Sequence, residues 1–368
     1  MFIERQLLVP ATLQRSAMFM MNSRRLATFR SSGARRIPGA CGSIDIFVPK
    51  GRGSLVGNVS SMIIKLVTFS FSGLLILLFS VTAPAQQLAD PHFNPTVEHP
   101  AYTKNFPRVL FDEAHYNFQT VAGPYKPFAD LLFSDGYQIV VNRKPFTKAL
   151  LSTSKMLVIA NALGAEDTDE EGAERPAFTE EESDLVRDWV RDGGALLLIV
   201  DDAPFSSAAE SLGKRLDVEM GKGVTMDSAN SDKVSKNPAF IVYSRDNKLL
   251  LDHSITKGRN DAERINRVMT FVGQSLKGPE GSEVILKLSE TATDRLPGDS
   301  PKESSAAGRA QALAFKFGKG RVVVIGDAAM LSAQLAGSDN QPFGMNTPEI
   351  DNRQLTLNIM HWLSGILK

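Results

Sequence analysis

Arg108-Val109-Leu110-Phe111-Asp112-Glu113-Ala114-His115 is the stretch whose reading decides the fold. Val109, Leu110 and Phe111 are apolar without alternation, as a strand buried on both faces requires. The run ends in three groups able to bind protons or metals: Asp112, Glu113 and His115. Open α/β sheets place their ligand crevice where buried parallel strands give out.

The same pattern repeats downstream. Tyr125 to Asp135 reads as a helix with Phe128, Leu131 and Leu132 on one face and Gly136 as its stop. Tyr137 to Val141 is a second strand, Pro145 to Leu151 a short helix, and Met156 to Ala160 a third strand leading to Asn161. Ala165 to Ala177 is acidic and reads as a solvated loop. Thr179 with Glu182 forms a capping box. The helix behind it carries Leu185, Val186, Trp189 and Val190 on one face and stops at Gly193-Gly194. Ala195 to Val200 is the most apolar strand, and it runs out into Asp201-Asp202. Strands alternating with helices indicate an α/β fold, a mostly parallel sheet with helices on both faces.

From Leu216 onward the pattern is looser. Val218 to Thr225, Phe240 to Tyr243, Val268 to Val272 and Val284 to Leu288 read as short strands, and Ser289 to Arg309 as a polar loop. Ala312 to Phe317 and Arg321 to Ile325 form a hairpin around the three-residue turn Gly318-Lys319-Gly320, its second strand leading to Asp327. A closing helix begins near Glu349, with Leu355, Ile359, Trp362, Leu363 and Ile366 at helical period. No repeat interrupts residues 108–368, which read as one domain after an irregular lead-in, 86–107.

The 368 residues carry no net charge, but the charge is unevenly placed. Residues 1–61 hold nine Lys or Arg against Glu4 and Asp45, whereas residues after 85 hold 31 basic against 39 acidic groups. An acidic body argues against nucleic acid as a partner, because that binding runs on Lys and Arg. Residues 62–85 read as a secretory signal: Lys65, the apolar run Leu66 to Val81, then Ala83-Pro84-Ala85 as a cleavage site. The alternative is an uncleaved anchor, the only contact with a membrane that the sequence offers. The protein is thus expected to be periplasmic or secreted. A signal belongs at the start of a chain, so residues 1–61 read as a non-native or disordered basic extension, with translation starting at Met62. Cys41 is the only cysteine, which leaves the body without a disulfide or a thiol nucleophile.

Asp112-Glu113-Ala114-His115 spells a nucleotide-hydrolase box, but that chemistry needs Gly-x-x-x-x-Gly-Lys-Ser/Thr. The three Gly-Lys pairs are followed by Arg215, Gly223 and Gly320, so no phosphate loop exists. The positional reading is better. Asp112, Asn161, Asp201 and Asp327 each end a predicted strand and should gather along one sheet edge. Asp112 with His115, joined by Asp201 or Asp202, could hold a divalent metal through oxygen and imidazole ligands. The alternative is that these acids cap helices or brace loops, which is the commoner use of strand-end carboxylates. His253, near Arg259, could orient an anionic ligand or act as an acid–base group near neutral pH, and the structural alternative is a loop histidine bonded to a backbone carbonyl. His361 and the methionines Met330, Met345 and Met360 read as packing residues. No Gly-x-Ser-x-Gly elbow occurs, and Ser206-Ser207 read as caps.

The chain also resembles a family. Phe111-Asp112-Glu113-Ala114-His115, Gly123-x-Tyr125-Lys126-Pro127-Phe128-Ala129, Asp201-Asp202-Ala203-Pro204-Phe205, His253 through Arg259, Gly320 through Met330, and Gly344-Met345-Asn346 carry the resemblance. Over about Pro107 to Leu367 the chain is similar to an uncharacterised exported bacterial branch of the class I glutamine amidotransferase-like superfamily. That branch is distantly similar to the GIFT domain of intraflagellar transport proteins. The resemblance implies a flavodoxin-like sheet with a carboxyl-terminal hairpin and closing helix. Amidotransferases of this fold use a Cys nucleophile, which is absent here, so glutaminase activity is excluded. The branch has His where Asp202 stands, which weakens a metal set built on that position.

The expected function is a non-amidotransferase binding module of the cell envelope. It would take a small polar ligand, a sugar among the choices, or an envelope protein. The competing reading is a metal-assisted or carboxylate-driven hydrolase using Asp112, Glu113, His115 and Asp201. A third reading makes Asp112 and His115 a brace for the long loop that follows them.

Overall fold

Apolar runs without polar alternation become the middle of the sheet, since both of their faces are covered. The computed structural model describes residues 88–296, 301–337 and 339–368, which fall in one unit. Residues 1–61 and the signal reading at 62–85 lie outside the described residues. In chain order the strands are β1 (Leu88–Ala89), β2 (Arg108–Asp112), β3 (Gln138–Asn142), β4 (Met156–Ala160), β5 (Ala195–Ile199) and β6 (Glu219–Met220). Then come β7 (Val224–Met226), β8 (Val242–Ser244), β9 (Arg267–Met269), β10 (Leu276–Lys277), β11 (Glu283–Lys287) and β12 (Thr293–Arg295). The last five are β13 (Glu303–Ser305), β14 (Ala310–Phe317), β15 (Gly320–Ile325), β16 (Ala333–Ala336) and β17 (Gln341–Gly344). The helices are α1 (Lys126–Ser134), α2 (Lys148–Leu151), α3 (Glu180–Arg191), α4 (Phe205–Ala208), α5 (Glu210–Arg215), α6 (Ser254–Lys257) and α7 (Asn352–Leu363).

The main sheet runs β3-β2-β4-β5-β15-β14-β10-β6, with β11 also on β14. Its first five strands are mutually parallel, and β14 turns antiparallel to β15. Numbering those five by chain order gives 2-1-3-4-5, the order of flavodoxin-type doubly wound sheets. Alternate residues of each strand feed two cores. Val109, Phe111, Val158, Leu197 and Val323 pack with Phe128 and Leu132 of α1 and Leu355 and Ile359 of α7. Leu110, Leu157, Leu196 and Val322 pack with Val186 and Val190 of α3 and Leu212 of α5.

Thr179 opens α3 through the expected capping box: its Oγ1 accepts from Glu182 N at 3.1 Å, and Glu182 Oε2 accepts from Thr179 N at 3.1 Å. Three expectations need correction. Val218 to Thr225 is not one strand but β6 and β7, which belong to different sheets. Gly221 and Gly223 break it where the backbone passes close to Ser275 and Arg295, leaving no room for a Cβ at Gly223. Ser289 to Arg309 is not only loop, since β12 and β13 pair there and β12 also pairs with β7. Those strands are short and polar, so hydrophobic periodicity could not reveal them. The hairpin turn is two residues, Gly318-Lys319, because Gly320 already pairs with Phe317.

Candidate functional site

The strand ends hold two groups of polar residues in different states. At β2, Asp112 is fully buried and accepts from Asn142 Nδ2 at 3.1 Å, while its other oxygen lies 2.8 Å from His115 Nδ1. His115 Nε2 lies 3.0 Å from Glu182 Oε1. That oxygen also accepts from Phe146 N at 2.9 Å. The imidazole sits between the rings of Phe146 and Phe178, each centred 4.7 Å away. Burial works against its positive charge, but the hydrogen bonds and charges of Asp112 and Glu182 prevail and raise its pKa above 6.5. Burial likewise opposes ionisation of Glu182, yet bonds from His115, Thr179 and Phe146 hold its pKa below the usual value. Glu113 is engaged too, accepting from Val121 N and from Arg143.

At β5 and β15 the acids are differently placed. Asn161, with φ at +47°, locks Asp201 by donating to Oδ2 at 2.7 Å and accepting from Asp201 N at 3.0 Å. Asparagine is among the few side chains that tolerate this backbone region. Asp201 Oδ1 accepts from Ala328 N at 2.5 Å, which ties the end of β5 to the residue after Asp327. Asp327, 1% exposed, accepts from the backbone N–H groups of Phe271 and Met330. Asp202 is 7% exposed. Among the described residues its carboxyl meets only its own backbone N–H. Burial first, and then the charges of Asp201 and Asp327, push Asp202 up to about 8. Burial, followed by the charge of Asp201, pushes Asp327 to about 8. Burial raises Asp201 to about 6 against the pull of Asn161 and Ala328 N. Burial and mutual repulsion therefore favour the protonated form at this end, and a protonated carboxyl can donate as well as accept.

The loop between β2 and α1 crosses the same edge. Asn117 Nδ2 donates to Ala160 O at 3.3 Å, and Phe118 N to Asn161 O at 2.9 Å. The Phe118 ring, nearly half exposed, leans on Phe205 at 5.8 Å. Tyr125 Oη, at the foot of α1, donates to Ala328 O at 2.7 Å.

Not all candidates gather here. His253 caps α6, its Nδ1 accepting from Ile255 N, and it meets the Trp362 ring edge-on. Arg259 is paired with Glu263 and donates to His99 O. Helix α7 starts beside Met330, where Asn352 Nδ2 donates to Met330 O, and ends beside Arg321, which donates to Trp362 O. Trp362 and its neighbours therefore lie at the opposite, amino edge of the sheet. His253 and Arg259 do not join Asp112, Asn161, Asp201, Asp202 and Asp327. Nor are Asp112, His115 and Asp201 arranged as a metal set: both ring nitrogens of His115 face carboxylates, and among the described residues no three such ligands converge. A shallow cavity of about 290 Å³ beside Glu210, Lys214 and Met220 includes none of the candidates.

Sequence reasoning missed Glu182 as the partner of His115. Its capping-box position was legible, but its second partner comes from a separation of 67 residues, which no local pattern encodes. His361 is more than packing, since its Nε2 lies 2.7 Å from Asp135 Oδ2 and ties α7 to the end of α1.

Fold and site together define a doubly wound α/β domain with a polar carboxyl edge. No family model and no curated protein matches the chain. Among solved structures it is similar to the mmIFT52 N-terminal domain at 13% identity and a TM-score of 0.49, covering 70% of this chain and 97% of that one. It is also similar to the cytoplasmic protein STM3548 from Salmonella typhimurium, at 10% identity, a TM-score of 0.40 and coverage of 70% and 99%. A ThuA-like protein from Bacteroides uniformis aligns at 12% identity and 0.38, covering 76% and 97%. Such scores carry nothing about activity, and the fold class stands on the strand order.

Proposed function

We propose that this chain is an exported α/β binding domain of the amidotransferase-like type without its nucleophile. Its ligand would be a small uncharged polar molecule, such as a sugar, held at the Asp201–Asp202–Asp327 end of the sheet edge. The observation that carries this is Asp202: a carboxyl 7% exposed at the end of β5, whose protonated form burial favours and whose partner within the protein is its own backbone N–H. A carboxyl at a strand end that is not consumed by other side chains is a place for a ligand's oxygen. The exposed ring of Phe118 beside Phe205 supplies the apolar surface on which a sugar ring stacks. Glu113 and His115 then support the loop rather than touch ligand.

The test is a titration of the protein with neutral mono- and disaccharides, read by amide chemical shifts, alongside Asp202→Ala. Shifts confined to residues around Asn161, Asp201 and Asp327, with affinity lowered roughly ten- to hundredfold in the variant, are expected from loss of one buried hydrogen bond. A stoichiometric metal in the purified protein that disappears in Asp202→Ala would overturn this reading.

One observation favours a second reading. Asp201 and Asp202 are adjacent buried carboxyls, both raised by burial, and paired carboxyls are what a carboxylate-driven hydrolase requires. Turnover of an aryl glycoside, abolished by both Asp201→Asn and Asp202→Asn, would select it.

A further inference from the structure

In a 2-1-3-4-5 sheet the ligand crevice opens between the ends of the first and third strands. Here that place lies between β2 and β4, and the chain's own loop fills it. His115 O accepts from Leu163 N, Asn117 Nδ2 reaches Ala160 O, and Phe118 N reaches Asn161 O. Farther on, Pro124 O accepts from Ser332 Oγ, so the loop traverses the edge from β2 to beyond β15. Tyr116, with φ at +47° and its ring exposed, holds a backbone conformation that a tyrosine seldom adopts. The surroundings must maintain it.

What maintains it is the arrangement around His115. A neutral imidazole has one N–H and one lone pair, whereas an ionised carboxylate only accepts. Both ring nitrogens of His115 face carboxylate oxygens, Asp112 Oδ2 at 2.8 Å and Glu182 Oε1 at 3.0 Å. The closed arrangement with both carboxylates ionised therefore requires two N–H groups. With one proton gone, a lone pair would face a carboxylate between the rings of Phe146 and Phe178. We infer that Asp112, His115 and Glu182 form a proton-held latch, and that loss of its proton releases the Glu113–Pro124 loop from the switch point of the sheet.

The charged groups that face His115 are Asp112 from β2 and Glu182 from α3. The segments around Phe146 and Phe178 present rings, and on the loop itself Glu113 is occupied by Arg143. Because the folded pKa of His115 is raised, the latch is fully held below 6.5 and is lost as pH rises through the raised value. Glu182 is lowered, so the lower limit of the latch is reached only as pH falls through that depressed pKa. The latch controls access to the edge and does not depend on which ligand uses it.

The test combines imidazole nitrogen-15 shifts of His115 with amide exchange of residues 114–123, corrected for intrinsic base catalysis, from about pH 5 to about pH 9. Both ring nitrogens should be protonated at the acid end. Loop opening should then rise, by up to about tenfold per pH unit, from 6.5 to the raised pKa of His115 and level off above it, while α7 stays unchanged. In Glu182→Gln the new amide can donate as well as accept and still suits the third helical position. Its NH2 can face the ring only by giving up the acceptor for Phe146 N, and Asp112 still faces the other ring nitrogen, so the pH dependence should weaken. Asp202→Asn, run in parallel, should leave the dependence intact. Opening that ignores the titration of His115, a ring with only one protonated nitrogen throughout, or a slope weakened by Asp202→Asn but not by Glu182→Gln would each overturn the latch.

Discussion

The ends of β2 and β5 look alike in sequence, each an apolar run breaking into acids, yet the fold puts them in opposite states. At β2 every acid has a matched partner: Asp112 with Asn142 and His115, Glu113 with Arg143 and Val121 N. At β5 and β15 Asp201 and Asp327 also accept hydrogen bonds, but three buried acids lie close enough to repel one another. Burial with that repulsion raises the pKa values of Asp202 and Asp327. The difference comes from partners distant in sequence rather than from the strand ends themselves. One end pairs each acid with a base or a donor, whereas the other sets buried acids beside one another.

The sharpest break of this contrast is His115→Ala. Removing the partner of two buried carboxylates should cost about 3–5 kcal/mol in denaturant unfolding, whereas Asp202→Asn, which removes a carboxyl that burial disfavours in its charged form, should be neutral or stabilising near neutral pH. Equal losses would mean that the two ends are not different in kind. Next in size is pH. Asp202 and Asp327 have folded pKa values near 8 against 3.8 for the ordinary carboxyl, so the folded state binds more protons than the unfolded one between those values. Stability must therefore fall as pH rises through that window, by up to about 1.4 kcal/mol per pH unit for each group. His115 adds to the fall above 6.5. Thermal melts from acid to mildly alkaline pH should show this slope, and Asp202→Asn should flatten it. A flat profile in the wild-type protein would remove the protonated end.

Asn161→Ala should have a smaller effect, about 1–3 kcal/mol, because Asp201 loses two hydrogen bonds and an unfavourable φ passes to alanine. Without the donor that lowers it, the pKa of Asp201 should move up from about 6, which a carboxyl carbon-13 titration would register. Thr179→Ala should cost about 1 kcal/mol through loss of the cap. If it also shifted the titration of His115, Glu182 would be shown to transmit between cap and latch.

The parallel half of the sheet was legible because β2, β4 and β5 are buried on both faces and write themselves as unbroken apolar runs. Helix α3 was legible from its capping box, which is local chemistry. β12, β13 and the β16–β17 hairpin were not, since backbone pairing of segments of three or four residues leaves no hydrophobic period to read. At the edge, Asp112, Asn161, Asp201, Asp202 and Asp327 followed from strand ends alone. His253 and Arg259 were misplaced because the path of α6 and α7 depends on packing across the whole sheet. The latch was invisible for the same reason: Glu182 reaches His115 only once α3 has docked.

β15 occupies the middle of the sheet, yet it begins at Gly320, far along the chain from its neighbour β5. The strands β3, β2, β4 and β5 all lie between residues 108 and 199 and can pair with one another first. Until β15 arrives, Ala195–Ile199 presents an open edge of five apolar residues, the kind of surface on which chains pair with each other. Long-range pairing of this sort is slow to form. Refolding yield should therefore fall with protein concentration, and the edge that binds β15 in the native state is where misassembly would begin.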